Sequence, residues 1–161
     1  MLKAIYPGSF DPMTLGHLDI IKRASSVFDF VIMAVVANPS KTSLLSVAQR
    51  EELIKLVVSD IPNVQVDTFN GLTVDYAKSN SIKVLIRGLR AISDFEAELG
   101  MAQTNKELYG ELETVFFMSQ AQYSFISSTQ VKEIARLGGN ISKFVPKPVG
   151  NFLLNHFNKL N

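Results

Sequence analysis

A doubly wound α/β domain built on a five-stranded parallel sheet is the fold class this sequence predicts, on three observations. Short apolar runs rich in Val and Ile recur between longer runs with helical spacing, so strands and helices alternate along the chain. Turn-forming residues punctuate the junctions, as in Pro7-Gly8, Asn38-Pro39, Pro62-Asn63 and Gly138-Gly139. The run from Phe30 to Ala37 has no polar interruption, the pattern of a strand buried on both faces.

Each element follows from its own local pattern. Residues 2–6 read as the first strand, ended by Pro-Gly. Residues 15–28 then carry Leu18, Ile21, Ala24 and Phe28 at helical spacing. The second strand, residues 30–37, is stopped by Asn38-Pro39-Ser40-Lys41. Ser46 with Gln49 three residues on is a capping-box signature before Leu53, Ile54 and Val57. The third strand is predicted over 64–68, a short helix over 74–79 and the fourth strand over 84–87. A helix over 94–108 carries Phe95, Leu99 and Ala102, and residues 114–118 form the fifth strand. The next helix, 127–137, is capped by a hydroxyl and stopped by Gly138-Gly139. Beyond Pro146 and Pro148 a last helix runs to about residue 160 with Phe152, Leu153 and Phe157 as its stripe. No repeat, low-complexity tract or linker divides the chain, so one domain over 1–161 is expected.

Composition narrows the function. The 161 residues hold 16 Lys+Arg against 15 Asp+Glu, a net charge of +1 that argues against a general nucleic-acid binder. With no cysteine there is no disulfide, thiolate nucleophile or Cys-ligated zinc. The longest apolar run falls far short of the roughly 18 residues of a membrane span. Pro7, Gly8 and Asp11 interrupt the apolar region a signal peptide would need, so a cytoplasmic location is expected. The glycosylation sequon at Asn140-Ile141-Ser142 is then a chance match.

Right-handed crossovers in the Rossmann-like order 3-2-1-4-5, with helices on both faces, make strands one and four neighbours at a topological switch point. The loops leaving them share one crevice there. The first loop, Tyr6-Pro7-Gly8-Ser9-Phe10-Asp11-Pro12-Met13-Thr14-Leu15-Gly16-His17, aims backbone N–H groups, a helix N-terminus and a neutral imidazole at one point, which suits an anion. The second, Arg87-Gly88-Leu89-Arg90, offers two guanidinium groups suited to phosphate oxygens. Lys41 is either a solvated loop lysine or a further cation. The hydroxyls of Ser127, Ser128 and Thr129 exceed what one helix cap requires. Asp11 reads as a structural loop residue, Asp94 as a cap, Glu98 as a solvent-facing carboxylate and His156 as surface.

Neither Gly-x-x-x-x-Gly-Lys-Ser/Thr nor Gly-x-Gly-x-x-Gly occurs, which excludes a P-loop and the usual dinucleotide fingerprint. An activated Ser or Cys with its base is also missing. Transfer at phosphorus needs mainly in-line positioning and charge stabilisation, above all when the attacking group is already an anionic phosphate. Magnesium would arrive with a nucleoside triphosphate.

The combination of Tyr6-Pro7-Gly8-Ser9-Phe10-Asp11-Pro12, Thr14-Leu15-Gly16-His17, Leu85-Ile86-Arg87-Gly88-Leu89-Arg90 and Ile126-Ser127-Ser128-Thr129 strongly resembles the bacterial phosphopantetheine adenylyltransferases of the nucleotidyltransferase superfamily. Asp94-Phe95-Glu96 after the arginine element narrows the resemblance to that family. The resemblance implies reversible adenylyl transfer from ATP to 4'-phosphopantetheine, giving dephospho-coenzyme A and pyrophosphate, the penultimate step of coenzyme A synthesis, with magnesium required. It implies that His17 stabilises the transition state and that Ser9, Lys41, Thr73 and Arg87 hold phosphopantetheine. ATP would be held by Ser9, Phe10, His17, Gly88, Leu89, Arg90 and Glu98, and by Tyr123, Ser124, Phe125, Ile126, Ser127, Ser128 and Thr129. A homohexamer and feedback inhibition by coenzyme A are also implied. Ser9 stands where Thr is common, Tyr123 where Trp occurs, Thr129 where Ser is frequent, and Thr73 where a larger apolar residue often meets the pantetheine arm. The alternatives are a related transferase using nicotinamide mononucleotide or CTP, or a non-catalytic adenine-nucleotide-binding module.

Overall fold

The computed structural model describes residues 1–37, 42–90 and 92–158, with residues 92 and 93 described by backbone alone. In chain order the elements are β1 (Lys3–Gly8), α1 (Leu15–Val27), β2 (Phe30–Ala37), α2 (Val47–Val57), β3 (Val64–Asn70) and α3 (Thr73–Ser79). There follow β4 (Val84–Leu89), α4 (Ile92–Leu108), β5 (Glu113–Met118), a 3-10 turn (Ala121–Tyr123), α5 (Ser128–Arg136) and α6 (Lys147–Asn158). The five strands pair in parallel in the order β3-β2-β1-β4-β5, as the alternation of elements predicts.

Side chains alternate across the sheet because the strand period is two. Ala4, Tyr6, Met33 and Val35 point to one face, where Ile21 and Ala24 of α1, Ile54 of α2, Val131 of α5 and Leu153 of α6 pack on them. Ile5, Ile32, Ala34 and Leu85 point to the other, against Val74 and Ala77 of α3 and Leu112. The sheet is therefore covered on both sides, as its uninterrupted apolar strands require.

The strand ends differ from the sequence-based boundaries in a way that matters for the site. Pro7-Gly8 does not end β1; the strand runs on through both residues, opposite Ala34 and Val35 of β2. Proline lacks an N–H for a ladder, and β1 pairs with β4 only at Ala4 and Ile5, so the ladder on that side has ended before Pro7 is reached. Likewise β4 runs past its expected end at Arg87 through Gly88 and Leu89, with Arg87, Gly88 and Leu89 paired with Phe116, Phe117 and Met118 of β5. The helix expected from residue 94 starts at Ile92. Each strand extension is paired on one side only, which leaves the two strand ends parted from each other at the crevice.

Two surface expectations also change. Phe95 and Leu99 of α4 are exposed, as are Met101 and Leu108, so that helix leaves apolar side chains outside the core of its own chain on two of its sides. His156 is half-buried and its ring stacks on Phe152 at 6.2 Å. Ile5, fully buried at the centre of the sheet, and the exposed Leu56 of α2 give a direct check of this layering. Ile5→Ala is expected to cost about 3 kcal/mol in urea unfolding, through lost burial and a cavity, and Leu56→Ala less than about 0.5 kcal/mol.

Candidate active site

The loop from β1 to α1 is fastened by polar contacts before it can present anything. Phe10 takes a left-handed backbone conformation, φ 46°, which folds its ring back over Gly8. A Cβ on Gly8 would lie 2.9 Å from Phe10 Cζ, so only glycine fits. The Phe10 ring then meets Tyr6 and His17 edge-on, at 5.4 and 5.2 Å between centroids.

Asp11, next along, is buried. Its carboxylate accepts the N–H groups of Leu44 and Leu45 at 3.0 and 2.8 Å and the Lys132 ammonium at 2.9 Å. Burial pushes its pKa up, but the Lys132 and amide hydrogen bonds outweigh that and hold the carboxyl below its ordinary value. Arg50, also buried, donates from Nη1 to the Ser9 carbonyl at 2.6 Å and the Val36 carbonyl at 3.3 Å. Ser128 Oγ donates to the Pro12 carbonyl at 2.8 Å. Helices α2 and α5 thus grip the same six-residue loop from two sides.

The loop delivers His17 through a cap. Thr14 is the N-cap of α1, and its hydroxyl accepts the His17 N–H at 3.4 Å. The reciprocal bond runs from the Thr14 N–H to His17 Nδ1 at 3.0 Å. An Nδ1 that accepts an amide proton carries none itself, so the neutral ring keeps its proton on Nε2. That nitrogen has no hydrogen-bond partner among the described residues. Burial, then the positive charges of Arg90 and Arg87, hold the His17 pKa down to about 4.

The end of β4 supplies the cations. Arg87 donates from Nε and Nη2 to the two Glu98 oxygens at 2.6 and 2.5 Å and from Nη1 to the Pro7 carbonyl at 3.2 Å. Arg90 bonds Asp94 at 3.2 Å and, through Nη1, the Ile126 carbonyl at 3.2 Å. Between them a Cβ on Gly88 would lie 2.4 Å from Ile20 Cδ1. At the entry to α5 the three hydroxyls divide. Ser127 accepts the Gln130 N–H as N-cap, Ser128 clamps Pro12, and Thr129 has no hydrogen-bond partner among the described residues.

These groups enclose a cavity of about 300 Å³. Of the residues the sequence picks out, Ser9, Phe10, His17, Arg87, Gly88, Arg90, Tyr123, Ile126, Ser127, Ser128 and Thr129 line it. Leu89 points into the core. Glu98 acts through Arg87 rather than facing solvent. Ser124 donates to the Ala121 carbonyl, and the exposed Phe125 packs edge-on to Phe144. Thr73 opens α3 beside a wider trough of about 1010 Å³ lined by Val36, Ala37, Ser43, Leu45, Ser46, Val47, Arg50, Asn70, Gly71 and Leu72. Lys41 lies outside the described residues.

Sequence reasoning passes over Arg50 and Lys132, although spacing marks both. Arg50, Leu53, Ile54 and Val57 fall on one helical face, as do Ser128, Val131, Lys132 and Ala135. A charged residue within an apolar stripe signals a buried polar contact.

The cavity is lined by a neutral imidazole, guanidinium groups and hydroxyls, all suited to phosphate and ribose, and on a sheet of this order they define a nucleotidyltransferase. The profile of the cytidylyltransferase-like family matches residues 5–134. A phosphopantetheine adenylyltransferase from Lachnoclostridium phytofermentans is 55% identical over 154 residues, covering 96% of this chain and 94% of the relative. One of the same description from Nostoc punctiforme is 59% identical over 143 residues, covering 89% and 78%. The chain belongs to the phosphopantetheine adenylyltransferase family. In fold it also matches a solved Vibrio parahaemolyticus protein described as a nicotinate-nucleotide adenylyltransferase, with a TM-score of 0.70 at 22% identity over 96% of this chain and 93% of that one.

Two measurements probe this geometry. His17 titrates near 4 when folded and near 6.5 when unfolded, so between those values the unfolded chain binds the extra proton. Its contribution to stability is complete above pH 6.5 and is lost as pH falls toward 4. Urea titrations should therefore show a shallower decline below pH 6.5 for His17→Gln than for the parent chain. Asp11→Ala strands the Lys132 charge and two amides, and should cost about 3 kcal/mol in the same assay at pH 7.

Proposed function

We propose that this protein transfers the adenylyl group of ATP to 4'-phosphopantetheine, reversibly, giving dephospho-coenzyme A and pyrophosphate. The observation that carries the reading is the unpartnered Nε2–H of His17 at a cavity also faced by Arg87 and Arg90, in a chain of this family. ATP would occupy the 300 Å³ cavity, with its triphosphate over the 8–10 amides and the start of α1, and its nucleoside toward Gly88, Tyr123 and the entry to α5. The acceptor's arm would lie in the trough between the ends of β2 and β3, near Thr73, with Lys41 and Arg87 at its phosphate. Arg50, which touches the Ser9 and Val36 carbonyls, stands between the two spaces.

An oxygen of the acceptor phosphate attacks the α-phosphorus in line. The new O–P bond forms as the bond to the bridging oxygen breaks, and the electron pair leaves with pyrophosphate. The attacking phosphate is ionised near neutrality, so no base is needed. Charge builds on the non-bridging α-phosphate oxygens, where the Nε2–H of His17 donates. A neutral imidazole suits this role because it does not give up its proton between turnovers.

Magnesium would enter with the triphosphate and neutralise part of its charge. The described residues contain no cluster of three or more His, Asp or Glu able to hold an ion, so the donor set suits one carried on phosphate oxygens. Cytoplasmic location and feedback by coenzyme A, whose nucleotide and pantetheine parts match the two spaces, belong to the same reading. Assembly into a homohexamer is supported by the exposed apolar residues of α4 and by Met118 at the end of the edge strand.

A pyrophosphate-release assay tests the reaction. ATP with phosphopantetheine should yield dephospho-coenzyme A, whereas nicotinamide mononucleotide as acceptor, or CTP as donor, should not turn over. His17→Ala should lower kcat by about 100-fold or more with calorimetric ATP binding retained. Unchanged turnover would remove His17 from this role.

A further inference from the structure

Tyr6 lies one strand position before the Pro-Gly pair, and its side chain projects from β1 to the α1 face of the sheet. The residue is 4% exposed, yet its hydroxyl has no hydrogen-bond partner among the described residues. Every fully buried side-chain nitrogen or oxygen among those residues does have one. The Tyr6 oxygen must therefore reach the surface of the cavity that Tyr6 lines.

Its surroundings are those of the reacting groups. The His17 ring lies 6.4 Å from the Tyr6 ring between centroids, and Phe10, beside the imidazole, meets the phenol edge-on. The hydroxyl oxygen lies beside Gly88 at the end of β4, 3.6 Å from where a Cβ on that residue would stand. Burial pushes the phenol pKa up, which keeps the proton on oxygen and the group a donor at neutral pH. At the cavity surface the hydroxyl makes no bond that the fold needs, and phenylalanine would fill the same buried space at no cost to it.

We propose that Tyr6 is a further nucleotide-binding residue, its hydroxyl donating a hydrogen bond to an acceptor atom of the adenylyl group seated between His17 and Gly88. This rests on the adenylyl-transfer reading above. It assigns the hydroxyl to the ligand rather than to the fold, and the two roles predict opposite signs for one substitution.

The experiment compares the full-length parent protein and Tyr6→Phe in three measurements: thermal midpoint without ligand, the rise in midpoint produced by saturating MgATP, and kcat/KM for ATP at fixed phosphopantetheine. For Tyr6→Phe the expected result is an unliganded midpoint equal to the parent's or a few degrees higher, a smaller rise with MgATP, and kcat/KM lower by about tenfold. An unchanged kcat/KM and MgATP shift overturns the proposal. So does an unliganded midpoint several degrees lower, or a variant that does not fold, because the hydroxyl then serves the fold. If the parent protein itself forms no dephospho-coenzyme A, the adenylyl-transfer reading fails instead; the MgATP shift still reports on Tyr6 by itself.

Discussion

The structure depends on the capture of one short loop by buried charge. Residues 9–14 connect the central strand to the helix that carries the histidine, and Phe10 within them holds a conformation that non-glycine residues seldom take. Such a loop keeps one shape only if its surroundings over-determine it. Asp11 supplies most of that constraint. A carboxylate taken out of water is costly unless its oxygens are satisfied, and two amides before α2 and an ammonium on α5 satisfy them. Arg50 answers on the acceptor side, spending its donors on carbonyls at the ends of β1 and β2. The segments that would hold acceptor and nucleotide are thereby referenced to one point.

His17 is where that constraint becomes chemistry. A capping box normally pairs a hydroxyl with a Glu or Gln three residues on. Here the third residue is histidine, and the bond that completes the cap also fixes the tautomer. The helix gains its cap and the cavity gains a donor nitrogen by one arrangement. A carboxylate in the same place would cap as well but would repel phosphate. Burial and the nearby guanidinium charges keep the ring neutral, so groups suited to phosphate also maintain the state in which the imidazole is a donor.

Much of this was legible in the sequence because it follows from period and punctuation. The strand order comes from alternating elements and crossover handedness, and convergence of the Ser9–His17 and Arg87–Arg90 segments comes from that order. The strand ends at Pro7-Gly8 and Gly88-Leu89 were not legible. Proline and glycine ordinarily break strands, and only the offset pairing of β1 with β4 shows why they do not here. The Asp11–Lys132 contact joins residues 121 positions apart, beyond any local pattern. Arg50 could have been found, since its helical spacing puts it among leucine and isoleucine.

Glu98 shows how such a cavity remains stable with cations pointed into it. Two guanidinium groups close together repel each other and lose hydration, which a fold tolerates only if counter-charge is at hand. The bidentate Glu98 carboxylate on Arg87 and the Asp94 carboxylate on Arg90 provide it. Arg87 spends three donors on Glu98 and Pro7, and the guanidinium has five, so N–H groups remain for a phosphate oxygen. A phosphate at this point would add to an existing pair instead of meeting a bare charge. The fold supplies part of the field in advance and holds the guanidinium in place through Glu98 and the Pro7 carbonyl, and fixed charge of this kind is what is effective at a phosphoryl centre.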